Sequence, residues 1–250
     1  MLINMNNDTK EAKLVLSLMD LTSLKDNETQ EDIEKLCRSS VSSLGHVAAI
    51  CIYSQWVDFV VEQMKLKNEE IRIATVVNFP HAQDTLSTVL YDVDKAIHLG
   101  VNEIDMVLPY HQVIEKNYSV AEDMIYRVKK LCGSDVLLKV IIESGELKTI
   151  PCIEDATKIT IFSGGDFVKT STGKVPINAT LESANTILKV ISQENPKVGF
   201  KASGGISTLE QAKQYLALAK EYLGLDYLSP KTLRFGASSL LNDILLNHSS

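Results

Sequence analysis

Residues 167–174 read Phe-Val-Lys-Thr-Ser-Thr-Gly-Lys, a short apolar strand with a lysine where a third apolar residue is expected. Burial disfavours the charged form of an amine, so this position lowers the lysine pKa from its ordinary value of about 10.4. A neutral Lys169 amine is a nucleophile that can attack a carbonyl carbon and form a Schiff base. The simpler alternative is that Lys169 packs only its alkyl stem and extends its ammonium into water.

Short apolar runs alternate with amphipathic helical segments on both sides of this stretch. Such near-continuous apolar strands are typical of parallel sheets that are buried on both faces. Eight strand–helix units in a chain of 250 residues predict an α/β fold, a (β/α)8 TIM barrel. A doubly wound open sheet is the alternative, but no glycine-rich dinucleotide turn follows the first strand. The predicted strands are 47–53, 71–78, 103–109, 136–143, 167–170, 198–202, 225–227 and 233–235, of which 225–227 is the weakest.

The first 44 or so residues look helical and carry no long apolar strand. Leucines at positions 14, 18 and 21 form one stripe of a helix that we predict over 9–19 and that ends at Asp20-Leu21-Thr22. A second helix is predicted over 29–37, where Thr29 can cap the start and Asp32 can complete a capping box. We therefore predict a single domain over 1–250, of which about 1–44 is a helical N-terminal extension.

Composition excludes several classes of partner. The net charge is −7 with a pI near 5.3 and no basic block, which argues against nucleic acid and means that an anionic substrate needs a local group of lysines. No apolar run is long enough to cross a membrane, and the N-terminus resembles no signal peptide. Four scattered cysteines and five histidines without ligand spacing predict reduced thiols, a cytoplasmic location, no metal and no cofactor. A homodimer is left open as an assembly.

In a (β/α)8 barrel, the active groups lie at the C-terminal ends of the strands. Lys169 and Lys201 end two successive strands, so both can point inward and their repulsion lowers the pKa of one of them further. Alternatively, one of the two lysines faces the helix layer and pairs with a carboxylate there. The chemically active residues at the predicted strand ends are Cys51, Asn78, Asp105, Glu143, Lys169 and Lys201.

Asp105 lies within the third predicted strand and shares a face with Glu103 by alternation. A carboxylate inside a barrel needs a cationic partner, and the candidates are Lys139, Lys169 and Lys201. A carboxylate beside a lysine can transfer protons, although a purely structural ion pair is an equal alternative for Asp105 taken alone. Lys139 lies in mid-strand and is predicted to orient the other charged groups.

Three glycine-containing loops after late strands predict a phosphate site. Glycines let backbone N–H groups approach an anion closely, and a helix N-terminus adds free donors. Each loop alone also fits an ordinary turn or helix cap. Their shared position matches the phosphate site that is common in such barrels. The candidate residues are Thr172, Gly173, Lys174, Gly204, Gly205, Gly236, Ser238 and Ser239.

These motifs resemble those of the deoxyribose-phosphate aldolases over nearly the whole chain. The resemblance rests on 18–22 (LMDLT), 49–53 (AICIY), 72–80 (RIATVVNFP), 137–143 (LLKVIIE), 167–174 and 234–239 (RFGASS), and on the Gly-Phe-Lys-x-x-Gly-Gly that contains Lys201. It implies a metal-free class I aldolase that cleaves 2-deoxy-D-ribose 5-phosphate reversibly to D-glyceraldehyde 3-phosphate and acetaldehyde, in deoxyribonucleoside catabolism.

The resemblance also implies roles for individual residues. Lys169 corresponds to the Schiff-base lysine, Lys201 to a second lysine that perturbs it, and Asp105 to the acid/base carboxylate. Similar family members often carry a basic residue where Ser207 stands. Two alternatives remain: a Schiff-base aldolase or transaldolase acting on another sugar phosphate, and a non-catalytic barrel that binds a sugar phosphate.

Overall fold

The computed structural model describes residues 2–67 and 71–248, and its centre is a closed barrel of eight parallel strands that follow one another in chain order. The α/β barrel prediction is therefore confirmed. Positions 1, 68–70 and 249–250 of the predicted domain lie outside the described residues. The strands are β1 (Met19–Thr22), β2 (Ala49–Ile52), β3 (Arg72–Val77), β4 (Glu103–Val107), β5 (Leu137–Ile141), β6 (Phe167–Lys169), β7 (Gly199–Ser203) and β8 (Leu233–Ala237).

Helices surround the barrel, and the strand-to-helix alternation places their apolar stripes against it. Side chains that are almost completely buried, such as Val93, Ile125 and Ile187, form one continuous core between the strands and the helix layer. The helices are α1 (Leu2–Ser17), α2 (Gln30–Ser39), α3 (Val57–Lys67), α4 (Leu86–His98), α5 (Tyr110–Ile114), α6 (Tyr118–Cys132), α7 (Ser144–Leu147), α8 (Ile150–Phe162), α9 (Leu181–Glu194), α10 (Leu209–Leu223) and α11 (Ser239–His248).

Strand β1 corrects the prediction that Asp20-Leu21-Thr22 merely ends a helix. Met19 aligns with Phe235 of β8 and Asp20 aligns with Ala49 of β2, so β1 closes the barrel. The leucine stripe is compatible with a helix, but hydrogen bonding to strands on both sides makes Met19–Thr22 a strand. In a segment this short, pairing with neighbouring strands outweighs the local preference for a helix. The predicted helical extension over 1–44 is therefore wrong in part, because it contains a barrel strand.

The weakest predicted strand, 225–227, is also wrong. Leu225–Tyr227 forms a short 3-10 helix after Gly224, whose φ of 81° is a left-handed conformation that ends α10. The Tyr227 hydroxyl donates to the carbonyl of Val198 at 2.8 Å and fixes this turn beneath β7. The predicted number of eight strands is right because one missed strand replaces one wrong strand.

The remainder of the N-terminal segment is partly as predicted. Thr29 caps α2 and forms the predicted capping box with Asp32. A small antiparallel hairpin, Val41–Ser42 with Gly45–His46, then leads into β2. Among the helices of the described ranges, none has the length and apolar character that a membrane span requires.

Candidate active site

The barrel strands bring the predicted lysines into register. Lys169 of β6 aligns with Lys201 of β7, and Lys139 of β5 aligns with Asp105 of β4. All four side chains point into the barrel, where each residue is 1% exposed or less. Alternation along a parallel strand explains this arrangement, because residues at matched register share one face of a sheet.

Asp105 is the shared partner of the three lysines. Its Oδ1 atom accepts from Lys139 Nζ at 2.5 Å, and its Oδ2 atom accepts from Lys169 Nζ at 2.8 Å and from Lys201 Nζ at 2.7 Å. The structure therefore brings Asp105, Lys169 and Lys201 together, and it places all three candidate cationic partners on this one carboxylate. The alternative in which one lysine faces the helix layer does not hold.

A second set of charges lies deeper in the barrel. Asp20 of β1 accepts from Lys201 and from Arg234 of β8, both at 2.5 Å. Glu103 accepts from Arg234 at 2.8 Å and lies 2.7 Å from Lys139. These contacts give Lys139 and Lys201 a second carboxylate partner each. The orienting role of Lys139 stays a prediction.

Sequence reasoning gave no role to Asp20, Glu103 and Arg234. The signal that singled out Asp105, a charge inside an apolar run, is also present at Asp20 in Leu-Met-Asp-Leu-Thr. The surrounding leucines also fit the end of a helix, and this alternative hides the signal.

The charges in this interior explain why Lys169 differs from its neighbours. Lys139, Lys169, Lys201 and Arg234 face the carboxylates of Asp20, Glu103 and Asp105, which is four cationic groups against three anionic ones. A neutral Lys169 balances this cluster. Removing an uncompensated charge from a buried interior is favourable, because the desolvation of each buried ion costs roughly several kcal/mol.

The pKa shifts follow the same division. Burial lowers the pKa of Lys169, and the charge of Lys201 adds to this effect against the opposing attraction of Asp105. Burial by itself would lower the pKa of Lys201, but the attraction of Asp105 and Asp20 outweighs it and raises this pKa above the ordinary lysine value. Burial raises the pKa of Asp105, yet Lys139, Lys169 and Lys201 hold it well below its usual range. Of Lys169 and Lys201, Lys169 therefore loses its proton more readily.

A cavity of about 790 Å³ opens beside the ends of β1, β6, β7 and β8. All eight predicted phosphate residues line it: Thr172, Gly173, Lys174, Gly204, Gly205, Gly236, Ser238 and Ser239. The volume lies within the range of about 300–1,000 Å³ that is usual for small-molecule sites. The lining residues do not include Lys169, Lys201 or Asp105. They do include Thr172, three positions after Lys169, and Ser203, two positions after Lys201.

The glycines of this cavity are needed for space as well as for conformation. A Cβ atom on Gly236 would collide with the Ser203 hydroxyl and approach Lys201 Cε to 3.1 Å. A Cβ atom on Gly204, which has a φ of 85°, would come within 2.6 Å of Asn178 Cβ. The backbone at these positions can therefore be approached more closely than in an ordinary loop.

Positive charge near the cavity comes from lysines. Lys174 donates from Nζ to the carbonyl of Leu24 at 2.6 Å, which joins the loop after β6 to the loop after β1. Lys25 and Lys35 also line the cavity, as does Ser207, whose N–H and hydroxyl both donate to Gln211. A phosphate here would meet local cations in a chain whose net charge is −7.

The other strand-end candidates have different surroundings. Cys51 is buried at the end of β2, and burial raises the pKa of its thiol, which makes it a poor nucleophile. Asn78 donates from Nδ2 to the carbonyl of Val107 at 2.8 Å and accepts from the N–H of Asp84, so it connects the ends of β3 and β4. In the described part of the chain, no three His, Cys, Asp or Glu side chains are grouped to hold a metal ion.

A buried lysine cluster in a closed (β/α)8 barrel, beside a cavity of small-molecule size, is the arrangement of a barrel aldolase. Comparison with known families agrees with this class. The family model for DeoC/LacD family aldolases matches residues 14–245, and the chain belongs to that family.

Solved structures share this fold along the whole chain. A Toxoplasma gondii protein provisionally described as a deoxyribose-phosphate aldolase is 21% identical, with a TM-score of 0.89, over 98% of this chain and 96% of its own. A Coccidioides immitis protein with the same provisional description is 25% identical, with a TM-score of 0.81, over 93% of this chain and 86% of its own. The tetrameric deoxyribose phosphate aldolase of Aeropyrum pernix is 20% identical, with a TM-score of 0.76, over 98% of both chains.

Proposed function

We propose that this aldolase cleaves 2-deoxy-D-ribose 5-phosphate reversibly to D-glyceraldehyde 3-phosphate and acetaldehyde through a Schiff base on Lys169. Deoxyribonucleoside catabolism is the corresponding process. Membership of the aldolase family supports the reaction class. The lysine cluster supports the covalent mechanism, and the glycine- and serine-lined cavity supports a phosphorylated substrate.

The single observation that carries the proposal is the contrast between Lys169 and its neighbours. Lys139 and Lys201 each contact at least two carboxylates. Among the described residues, Lys169 contacts only one carboxylate, that of Asp105. Lys169 is also the last residue of β6, three positions before Thr172, which lines the cavity. An amine with a lowered pKa and the fewest ionic partners is the best nucleophile of the three.

The first half of the reaction forms the imine. The lone pair of Lys169 Nζ adds to C1 of the open-chain sugar, and the carbonyl oxygen takes up two protons, one from Nζ itself and one from the buried cluster. Loss of that oxygen as water leaves a protonated imine, with C1 bonded to Nζ. Lys201 and Asp105, 2.7 Å apart, supply and receive these protons within the buried cluster.

The second half breaks the carbon chain. A base removes the proton of the C3 hydroxyl, the C2–C3 bond breaks, and its electron pair moves to the imine to give an enamine. D-Glyceraldehyde 3-phosphate leaves from C3 onwards. Protonation of the enamine at C2 and hydrolysis of the imine release acetaldehyde and free Lys169. We assign the role of the base to Asp105. Its low pKa keeps it ionised and therefore able to accept a proton, and Lys201, in hydrogen-bond contact, can take that proton on.

The phosphate is assigned to the loops that line the cavity. Gly204 and Gly205 follow β7, while Gly236, Ser238 and Ser239 lead into α11, where the first amide groups of the helix have no partner within it. Binding the phosphate there anchors the part of the substrate that does not react, and this binding energy can hold C1 against Lys169.

Borohydride reduction in the presence of acetaldehyde, followed by peptide mapping, tests the Schiff base directly. We expect a stable adduct on Lys169. Cleavage of 2-deoxyribose 5-phosphate is then compared with cleavage of fructose 6-phosphate. Efficient cleavage of fructose 6-phosphate alone would indicate a transaldolase-like enzyme. Imine trapping without cleavage of either sugar would indicate that the enzyme acts on a different substrate.

Three further expectations accompany this proposal. We expect the enzyme to act in the cytoplasm and to form a homodimer. We also expect activity to survive incubation with EDTA, because a lysine imine performs the electron withdrawal that a metal ion would otherwise provide. Activity lost to EDTA and restored by zinc would contradict the Schiff-base mechanism.

A further inference from the structure

Glu143 is a buried carboxylate that the proposed mechanism does not use. It follows β5 directly and has a φ of 50°, a left-handed conformation that is uncommon for a residue other than glycine. The N–H of Ile142 on one side donates to the backbone carbonyl of Lys169, and the N–H of Ser144 on the other donates to the backbone carbonyl of Thr170. A strained backbone that holds a buried charge beside a reactive group is typical of functional sites.

Glu143 takes both hydrogen-bond donors of Thr172. The Thr172 N–H lies 3.3 Å from each carboxylate oxygen, and the Thr172 hydroxyl donates to Oε2 at 2.5 Å. The Thr172 Oγ atom also accepts from the N–H of Lys174 at 3.0 Å. A hydroxyl group has one proton and two lone pairs, so one lone pair of Thr172 is left.

This arrangement fixes what Thr172 can recognise. Thr172 lines the cavity, but neither its N–H nor its O–H is available to a ligand there. A phosphate dianion has no proton to donate, so it gains nothing from the remaining lone pair and is repelled by Glu143. A hydroxyl group on the carbon chain of the substrate can donate to that lone pair.

We propose that Glu143 is a positioning residue that holds the Thr172 hydroxyl proton away from the cavity, so that Thr172 selects substrates with a hydroxyl group next to the phosphate-bearing carbon. This inference rests on the proposed function, and it moves Thr172 from the phosphate site to the carbon chain. The phosphate remains with the loops after β7 and β8.

The test compares two acceptor aldehydes that carry the same phosphate in the addition of acetaldehyde. D-Glyceraldehyde 3-phosphate has the hydroxyl at C2, and 3-phosphooxypropanal lacks it. For the wild-type enzyme we expect kcat/KM to be roughly 3- to 10-fold higher for the hydroxylated acceptor, the range for one neutral hydrogen bond. In Glu143→Met, whose thioether sulfur is at most a weak acceptor for the Thr172 hydroxyl, the ratio should fall towards one.

Four further variants separate positioning from a general loss of structure. Glu143→Gln keeps a carbonyl oxygen that can accept from Thr172 and should retain most of the preference. Thr172→Val should lose the preference, and the double variant with Glu143→Met should lose no more than either single one, because both act on the same hydrogen bond. Glu146→Gln, a nearby acid in α7 without a bond to Thr172, is the matched control and should keep the wild-type ratio.

A pH profile tests the proposal even if Glu143→Met fails to fold. The groups around Glu143 are Thr172, Lys169 of β6, Glu146 of α7 and Tyr110 of α5. Burial raises the pKa of Glu143 more than its bonds to Thr172 lower it. Protonation at low pH lets Glu143 donate to Thr172 and turns the Thr172 proton towards the cavity, so the acceptor preference should fall with pH. The phosphate titrates equally in both acceptors and cancels in the ratio.

Each outcome decides one point. A wild-type ratio in Glu143→Met, or the same pH dependence in Glu143→Gln as in the wild type, would overturn the role of Glu143. Equal use of both acceptors by the wild-type enzyme would overturn hydroxyl recognition while leaving the aldolase proposal intact. Acetaldehyde trapping on Lys169 without addition to either acceptor would instead contradict the proposed substrate.

Discussion

The barrel interior and the cavity at its mouth hold charge in opposite ways. In the interior, buried ionic side chains pair with one another, and Asp105 by itself contacts three lysines. In the cavity, glycines, hydroxyl groups and partly exposed lysines provide the polar surface. The first arrangement changes the pKa of an amine, and the second provides donors for an anion. Reactivity and binding are therefore built from different kinds of group.

The largest expected effect removes the nucleophile from the interior. Lys169→Ala should reduce cleavage below detection, by about 10³-fold or more, because no other amine in the cluster has a lowered pKa. Lys169→Arg should fail equally, since a guanidinium does not deprotonate. Borohydride trapping with acetaldehyde measures the loss, and Lys197→Met, in the exposed turn before β7, is the control. An adduct of wild-type yield in Lys169→Ala would contradict the assignment.

Asp105→Asn should have the next largest effect and should separate the two steps of the reaction. Cleavage should fall by roughly 10²–10⁴-fold if Asp105 is the proton acceptor. Lys139 and Lys201 keep Glu103 and Asp20 as partners, whereas Lys169 loses its carboxylate and deprotonates more readily. Imine trapping should therefore be retained.

Parallel measurements of trapping and cleavage test this separation, with Asp123→Asn on the exposed face of α6 as the control. An equal loss of both would show that Asp105 mainly maintains the structure of the cluster. Thermal unfolding of the variant distinguishes these cases, because the loss of one partner from a buried ion pair costs about 3–5 kcal/mol.

The cavity should respond to changes in the substrate rather than in the chemistry. Unphosphorylated 2-deoxyribose should react with a kcat/KM that is roughly 10²–10³-fold lower, since it lacks the binding energy of the phosphate. Lys174→Met should raise KM about tenfold for the phosphorylated sugar only, on the scale of one charge-assisted hydrogen bond. Lys231→Met, before β8, is the control. Equal losses for both sugars in Lys174→Met would place Lys174 outside the phosphate site.

The smallest expected effect is a shift of a pH profile. Lys201→Leu removes a positive charge next to Lys169 and leaves Asp105 freer to pair with it, and both changes raise the pKa of Lys169. Because the neutral fraction falls about tenfold per pH unit below the pKa, the profile of borohydride trapping should move to higher pH, by about one unit. An unmoved profile would mean that burial alone lowers the Lys169 pKa.

Sequence-based prediction and structure agree best where a local pattern is compatible with only one type of secondary structure. The apolar runs around Lys169 and Lys201 can be satisfied only as strands that are buried on both faces, and alternation then points both lysines inward. Asp105 was predictable for the same reason, since a charge in such a run requires a partner. Asp20 was not, because its leucine-rich surroundings suit a helix equally well and pairing with β2 and β8 decides the outcome.

The sequence by itself determined the alternation of strands and helices, the lysines that share a barrel face and the glycine loops that border the cavity, because each depends on short-range periodicity. Only the tertiary structure decided that Asp105 binds three lysines at once, that Asp20 and Arg234 support them from β1 and β8, and that Glu143 takes both donors of Thr172. These contacts join residues 29 to 214 positions apart. The closure of the barrel fixes such distances, and no local pattern encodes them.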